Sequence, residues 1–305
     1  MFYFFITLIS KIFFIIRKLI VFSYKNDKKL YIFKIFWYTL QGMKVCSFSS
    51  GSKGNCTYIE TENAKVLLDI GVTVKHVLDC FEKLSVDPAS IQAIIITHEH
   101  SDHIKGVEAF SKKFDTPIFC HTKLYNVLCA QMPSCINNIQ SFTTNFEIED
   151  LKVYPFELSH DSTCCFGYRM IDETGSASFV TDTGYLPDNA VKMIESSSLV
   201  FLESNYDPDM LFACSYPMFL KKRILSNRGH LSNLDCAKIV EWLSKTGTKL
   251  VVLSHISENS NTPYLAYNTV KNYLENHGII VDKNIKIGIN YQNKLNSIYK
   301  LTKKS

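Results

Sequence analysis

Four side chains able to hold a metal ion fall within six consecutive positions, His98, His100, Asp102 and His103, in the segment Thr97-His-Glu-His-Ser-Asp-His103. Neutral imidazoles mixed with carboxylates suit zinc, manganese or iron(II). His98 and His100 alternate by two, so in extended backbone they project to the same side. Asp102 and His103 follow on the turn and can face a second ion. Two cations about 3.5–4 Å apart lower the pKa of a shared water toward neutrality, make hydroxide available and clamp the oxygens of the group under attack. Asp102 can also accept a hydrogen bond from that hydroxide and aim it. The chemistry implied is hydrolysis. Three histidines and an aspartate at this spacing set the segment apart from a solvated His-rich turn.

These residues need a rigid element behind them, and Ile91–Thr97 reads as a buried strand. Ligands at its C-terminal end stand where open α/β sheets place their sites. From Met43 onward, apolar strands alternate with helical stretches. Strands are predicted over Lys44–Ser49, Cys56–Glu60 and Lys65–Ile70, then a helix over Val74–Leu84, and a helix over His103–Phe114 after the His-rich segment. The second half repeats the rhythm. Strands are expected over Leu151–Glu157, Cys164–Ile171, Ser176–Thr181, Leu199–Glu203 and Lys249–Ser254. Helices are expected over Pro187–Glu195, with Pro in the first turn, and over Ser215–Leu225, Ser232–Lys245 and Thr262–Asn276. Strands followed by helices twice over predict an α/β sandwich, two sheets inside and helices outside.

The 305 residues, 46% hydrophobic and 20% charged, suffice for one large domain with a sizeable core. Charge is unevenly spread. Residues 1–42 hold Lys11, Arg17, Lys18, Lys25, Lys28, Lys29 and Lys34 against Asp27 alone, a net +6, so with +4 for the whole chain the remainder is slightly acidic at −2. Net charge therefore gives no support for nucleic-acid binding. The apolar run Phe2–Phe22 is broken by Lys11, Arg17 and Lys18 and lacks the uncharged length of a membrane span. It has no signal-peptide layout either. Residues 1–42 are expected to be either text upstream of the true start or a basic membrane-associated helix, with a catalytic domain over 43–305. The ten cysteines are scattered without a CxxC; Cys46, Cys56, Cys120, Cys129 and Cys165 read as small core residues. A reducing cytoplasm is the expected location.

The HxHxDH pattern after an apolar strand resembles the metallo-β-lactamase superfamily, over roughly residues 43–300. That resemblance implies a four-layer αββα sandwich of two mixed sheets flanked by helices, and a site completed from distant ligands. His160, in Leu158-Ser-His160, matches the third histidine of a first metal beside His98 and His100. His255, in Val251-Val-Leu-Ser-His255, matches the last histidine of a second metal beside Asp102 and His103. Asp182, in Phe179-Val-Thr-Asp182, matches the aspartate that bridges both. Two divalent ions, Zn2+ or Mn2+, are the implied cofactors.

Three features narrow the substrate. A bridging carboxylate fits dinuclear hydrolases of thioesters or phosphodiesters better than dedicated lactamases. His230, in Asn227-Arg-Gly-His230-Leu-Ser-Asn233, either caps the helix that follows or resembles the histidine with which nuclease branches protonate a leaving oxygen. Glu203, ending the strand Leu199–Leu202, would then be its acidic partner. The turn Ser49-Ser-Gly-Ser-Lys-Gly-Asn55 can cradle a phosphate. Together with Glu203-Ser-Asn-Tyr-Asp207 and Ser254-His-Ile-Ser-Glu-Asn259, it is similar to the bacterial YycJ/WalJ-type branch, whose members are described as exonucleases acting 5′ to 3′ on double-stranded DNA. The resemblance implies a nuclease working on double-stranded DNA ends, with Asp102, His230 and Glu203 as catalytic residues. The alternative is a thioesterase or cyclic phosphodiesterase on the same metal site. Lys221, Lys222, Arg223 and Arg228, near His230, either meet a nucleic-acid backbone or form a solvated face. No protein partner is implied.

Overall fold

The computed structural model describes residues 42–302, so the extension expected over 1–42 lies, Gly42 apart, outside the described residues. The first sheet starts as an antiparallel meander of β1 (Lys44–Ser49), β2 (Cys56–Glu60) and β3 (Lys65–Leu68), whose hydrogen-bond partners lie close in sequence. Crossovers through the helices α1 (Val74–Leu84), α2 (Ser101–Ile104), α3 (Val107–Phe114) and α4 (Thr122–Gln131) then add three parallel strands. These are β4 (Ala93–Ile95), β5 (Ile118–His121) and β6 (Ile139–Phe142).

The second sheet follows the same plan. Its antiparallel part is β7 (Phe146–Ile148), β8 (Leu151–Leu158), β9 (Cys165–Asp172) and β10 (Gly175–Val180). Its parallel part adds β11 (Leu199–Glu203), β12 (Leu250–Ser254) and β13 (Lys286–Ile289). The intervening helices are α5 (Asp188–Ile194), α6 (Pro208–Ala213), α7 (Met218–Ile224), α8 (Asn233–Lys245) and α9 (Pro263–Asn276). The last strand, β14 (Ile298–Lys300), returns to pair antiparallel with β1.

The period of two along β11 shows how the layers are held. Leu199 and Phe201 enter the core shared by the two sheets, where Phe201 stacks on Phe179 at 5.0 Å. Val200 and Leu202 face the other way, into a cluster with Val240 and Leu243 of α8 and Val270 and Leu274 of α9. Val77 and Phe81 of α1 and Phe110 of α3 join the first core. Each such buried side chain contributes about 1.5–3 kcal/mol. The chain therefore forms two mixed sheets flanked by helices, as expected.

Several boundaries differ from expectation. The helix expected over 103–114 breaks between α2 and α3, because the Gly106 amide donates to the Ile70 carbonyl and a Cβ there would stand 2.3 Å from the Val72 carbonyl. The strand expected over 91–97 shortens to β4, and that over 65–70 ends at Leu68, since Asp69 adopts φ 57°. Pro187 occupies the N-cap of α5 and not its first turn. The segment expected as one helix over 215–225 becomes α7, starting after Pro217, while α6, β6 and β7 had no counterpart in the sequence reading. Cys46, Cys56, Cys120 and Cys165 are buried, but Cys129 is only half-buried; all ten cysteines are free thiols.

Candidate metal centre

Each candidate ligand follows the carboxyl end of a strand. His98 and His100 come after β4, His160 after β8, Asp182 after β10, Glu203 at the end of β11 and His255 after β12. Parallel pairing of β10, β11 and β12 brings three of these ends to one edge of the second sheet, and β4 brings the His-rich segment from the first. The sequence-distant residues thus meet at the seam between the sheets. Gly71 permits the approach, since a Cβ there would lie 1.6 Å from the Asp102 carbonyl oxygen.

Three groups of candidate ligands result among the described residues, the third being Asp182, Glu203, His230 and His255, in which Glu203 is taken up by hydrogen bonds to both histidines. His98, His100 and His160 present ring nitrogens within 4.8 Å of one another, with His98 Nε2 3.2 Å and His160 Nε2 3.3 Å from His100 Nδ1. Asp102, His103, Asp182 and His255 form the second group on the same criterion. Asp182 Oδ2 stands between the first and second groups, 3.8 Å from His98 Nε2, 3.6 Å from His160 Nε2 and 3.5 Å from His103 Nε2. Asp102 Oδ2 is 3.8 Å from both His103 Nε2 and His255 Nε2. All seven residues expected to hold metal are brought together.

The donor set fits divalent cations. Asp182 Oδ1 and His255 Nε2 are buried without any hydrogen-bond partner, a costly arrangement unless a cation completes it. Burial, with the neighbouring His103, pushes His98 well below the usual imidazole range and so keeps it the neutral ligand a cation needs. Burial raises the Asp182 carboxyl, but His255 and His103 outweigh it and hold the group well below the usual carboxylate range. Burial lowers His103, yet Asp182, Asp69 and Asp102 together raise it well above, the mark of a site that demands positive charge.

Further contacts aim the ligands. His103 Nδ1–H donates to Asp69 Oδ2 at 2.7 Å, which turns its Nε2 into the site; Asp69 also accepts from the Thr97 amide and hydroxyl. Asp69 was missed in the sequence. Its only signal there is a lone carboxylate in the apolar run Val66-Leu-Leu-Asp-Ile70. The His160 Nδ1–H donates to the Gly229 carbonyl at 3.0 Å. Glu203 does more than expected: Oε1 accepts from His230 Nδ1 at 2.7 Å and from His255 Nδ1 at 2.8 Å, while Oε2 accepts from the Thr183 and Leu231 amides. Asp69 and His255 both adopt left-handed backbone, φ 57° and 51°, at about 1–2 kcal/mol each.

His230 does not cap the following helix, since the Ser232 hydroxyl accepts from the Asp235 amide in that role. Its ring lies 5.1 Å from that of His160 and 5.4 Å from that of His255, and it lines the cleft with His100, Asp102 and Asp182. The basic residues nearby divide. Lys221 is buried and donates to the Phe212 carbonyl, and Arg228 donates to the His160 and Ser162 carbonyls. Arg223 lines the cleft and pairs with Asp161, and Lys222 is exposed. In the Ser/Gly turn, Ser50 accepts from the His255 amide and Asn55 accepts from the Gly51 amide, so this turn braces the site, with Ser52 at the cleft. No helix among the described residues is long and apolar enough to cross a membrane.

Comparison with known proteins agrees with this fold. A family model described as a beta-lactamase superfamily domain matches residues 66–256. The chain is 32% identical over 251 residues to the exodeoxyribonuclease WalJ of Streptococcus pneumoniae, covering 81% of this chain and 93% of that protein. It is 32% identical over 249 residues to the exodeoxyribonuclease YycJ of Bacillus anthracis, covering 81% and 94%. Among solved structures, the metallo-beta-lactamase fold protein YhfI of Bacillus subtilis superposes with a TM-score of 0.63 at 15% identity, over 85% of this chain and 99% of that one.

Proposed function

The chain belongs to the beta-lactamase superfamily of metal-dependent hydrolases, and on that footing we propose that it is a dinuclear phosphodiesterase that removes nucleotides from ends of double-stranded DNA. The observation that carries the reading is His230, held over the ligand groups by the buried carboxylate of Glu203. A lactam or thioester releases a nitrogen or sulfur group. A sugar–phosphate bond releases an alkoxide, which needs a proton as it departs, whereas a thiolate leaves without one. The two exodeoxyribonucleases to which the chain is similar support the same substrate class.

In this reading His98, His100 and His160 would hold one cation and Asp102, His103 and His255 the other, with Asp182 available to both, and zinc or manganese would suit these donors. The bound pair supplies acidified water and neutralises charge on a phosphate. Asp102, partly open to the cleft, accepts a hydrogen bond from the attacking water and aims it at phosphorus. The His230 Nδ1–H is committed to Glu203, which leaves Nε2 to carry a proton to the departing sugar oxygen as the P–O bond breaks. Glu203 thereby serves two tasks, fixing the donor and, through His255 Nδ1, one metal ligand. Arg223 stands at the cleft to receive a phosphate, in exchange for part of its pairing with Asp161.

The test is the full chain with zinc or manganese on end-labelled double-stranded DNA, beside a His100→Ala control. Metal-dependent nucleotide release that the control lacks is the expected result. Turnover of a thioester or a cyclic phosphodiester, with the DNA untouched, would replace the reading with small-molecule hydrolysis.

A further inference from the structure

The segment that carries α6 and α7 differs in character from the rest of the described chain. It has a small core of its own, Tyr206, Leu211 and Ile224, with Tyr216 and Leu220 packed against it. Four large apolar side chains on it face solvent: Phe212 at 59% exposure, Met218 at 60%, Phe219 at 74% and, at the end of α7, Leu225 at 40%. From Met210 to Leu231 the sequence holds Lys221, Lys222, Arg223 and Arg228 and neither Asp nor Glu. Along α7, Phe219 shares a stripe with Lys222 and Arg223 at i+3 and i+4. Leu220, Arg223 and Ile224 of the same helix, and Tyr216 before it, line the cleft of the metal centre. An exposed aromatic side chain thus stands one helical turn from a cation at the mouth of the active site.

We propose that Phe219, next to the exposed Met218, is a stacking platform for a terminal base of the nucleic acid whose backbone passes Lys222 and Arg223 into the cleft. The inference rests on the phosphodiesterase reading. A solvent-facing phenyl ring gains nothing in folding, whereas a base has a π-face whatever its sequence, and stacking of this kind is sequence-tolerant. The charge of the segment complements a polyanion, in a molecule whose remaining part beyond residue 42 is slightly acidic. A lipid surface or a second copy of the chain could also cover such a patch. Neither requires the aromatic stripe to adjoin a cleft lined by metal-binding side chains, and an entering strand does.

The test uses the full chain with its metal and a duplex whose terminal base is 2-aminopurine and whose end linkages are phosphorothioates. Binding of the unaltered protein should quench the probe. Phe219→Ala should abolish the quench and weaken binding by about tenfold, within the range for loss of one stacked base, and Phe219→Trp should restore both. Metal content and thermal midpoint of both variants serve as the folding check. A wild-type quench that persists in Phe219→Ala overturns the platform and leaves the phosphodiesterase reading intact. Failure of the unaltered protein to bind DNA at all overturns both. A variant that quenches normally but loses self-association in sedimentation, or loses binding to anionic vesicles, reassigns the patch to a subunit or lipid contact.

Discussion

The ligand groups and the α6–α7 segment lie side by side and are built in opposite ways. His98, His103, His160, Asp182 and His255 are all buried, and several are held through a second partner: Asp69 behind His103, the Gly229 carbonyl behind His160, Glu203 behind His255. The segment above them is short-helical, basic and apolar at its surface, with only a small core beneath it. The first region leaves its side chains almost no alternative geometry, whereas the second leaves Phe212, Met218, Phe219 and Lys222 exposed. On the proposed reading, chemistry and substrate choice are therefore separable, with His230 at the hinge between them. Its backbone amide donates to the Ile224 carbonyl at the end of α7, while its ring is fixed from the sheet by Glu203.

The separation fails most visibly if ligands can be lost without loss of activity. Asp182→Ala should bring DNA hydrolysis to background and reduce bound metal, measured together by nucleotide release and metal analysis. Full activity at reduced metal content would mean that Asp182 does not join the two groups. His230→Ala should slow turnover by about 10²–10⁴-fold, the usual worth of a positioned proton donor, while metal content stays at the wild-type level. If the metal left with the imidazole, His230 would belong to the buried region and the comparison would need redrawing. Asp69→Asn should act through His103, lowering metal affinity by about 10–100-fold. Titration with a competing chelator reads that loss directly, and an unchanged affinity would reduce Asp69 to a brace for the Thr97 backbone.

The same contrast governs what the sequence disclosed. His98, His100, Asp102 and His103 are contiguous, and an Ile-rich strand before them sets their direction, so the pattern is readable in one line of text. His160, Asp182 and His255 are legible only through the resemblance to the metallo-β-lactamase pattern; that each follows an apolar strand fits the assignment without making it. Asp69 could not be found that way. It is a single acid in an apolar run, and its meaning depends on His103 lying 2.7 Å away across a turn. Glu203 was anticipated as a partner for His230 alone, because its second bond, to His255, depends on parallel pairing of β11 with β12. The break at Gly106 depends on tertiary contact with Ile70 and Val72. The short strands β6 and β7 carry too few residues for alternation to register. The four basic residues near His230 looked alike in sequence, and only the fold separates the buried Lys221 from the exposed Lys222.

That last distinction supplies the finest test of the two-region view. Lys222 is exposed and makes no ion pair among the described residues, so its ammonium is available to a phosphate. Neutralising one phosphate contributes about 0.9 to the slope of log affinity against log salt. Lys222→Gln should therefore weaken DNA binding only a few-fold at about 0.15 M salt, and flatten that slope by about one. Phe219→Ala should weaken binding more and leave the slope alone, because stacking releases no counterion. Lys221→Gln should behave differently from both. Its ammonium donates to the Phe212 carbonyl inside the segment, so the loss would appear as a lower thermal midpoint with the salt slope unaltered. Equal slopes for the Lys222 and Lys221 variants would show that the basic residues act as one diffuse field, and the ordered path of the strand along α7 would have no support.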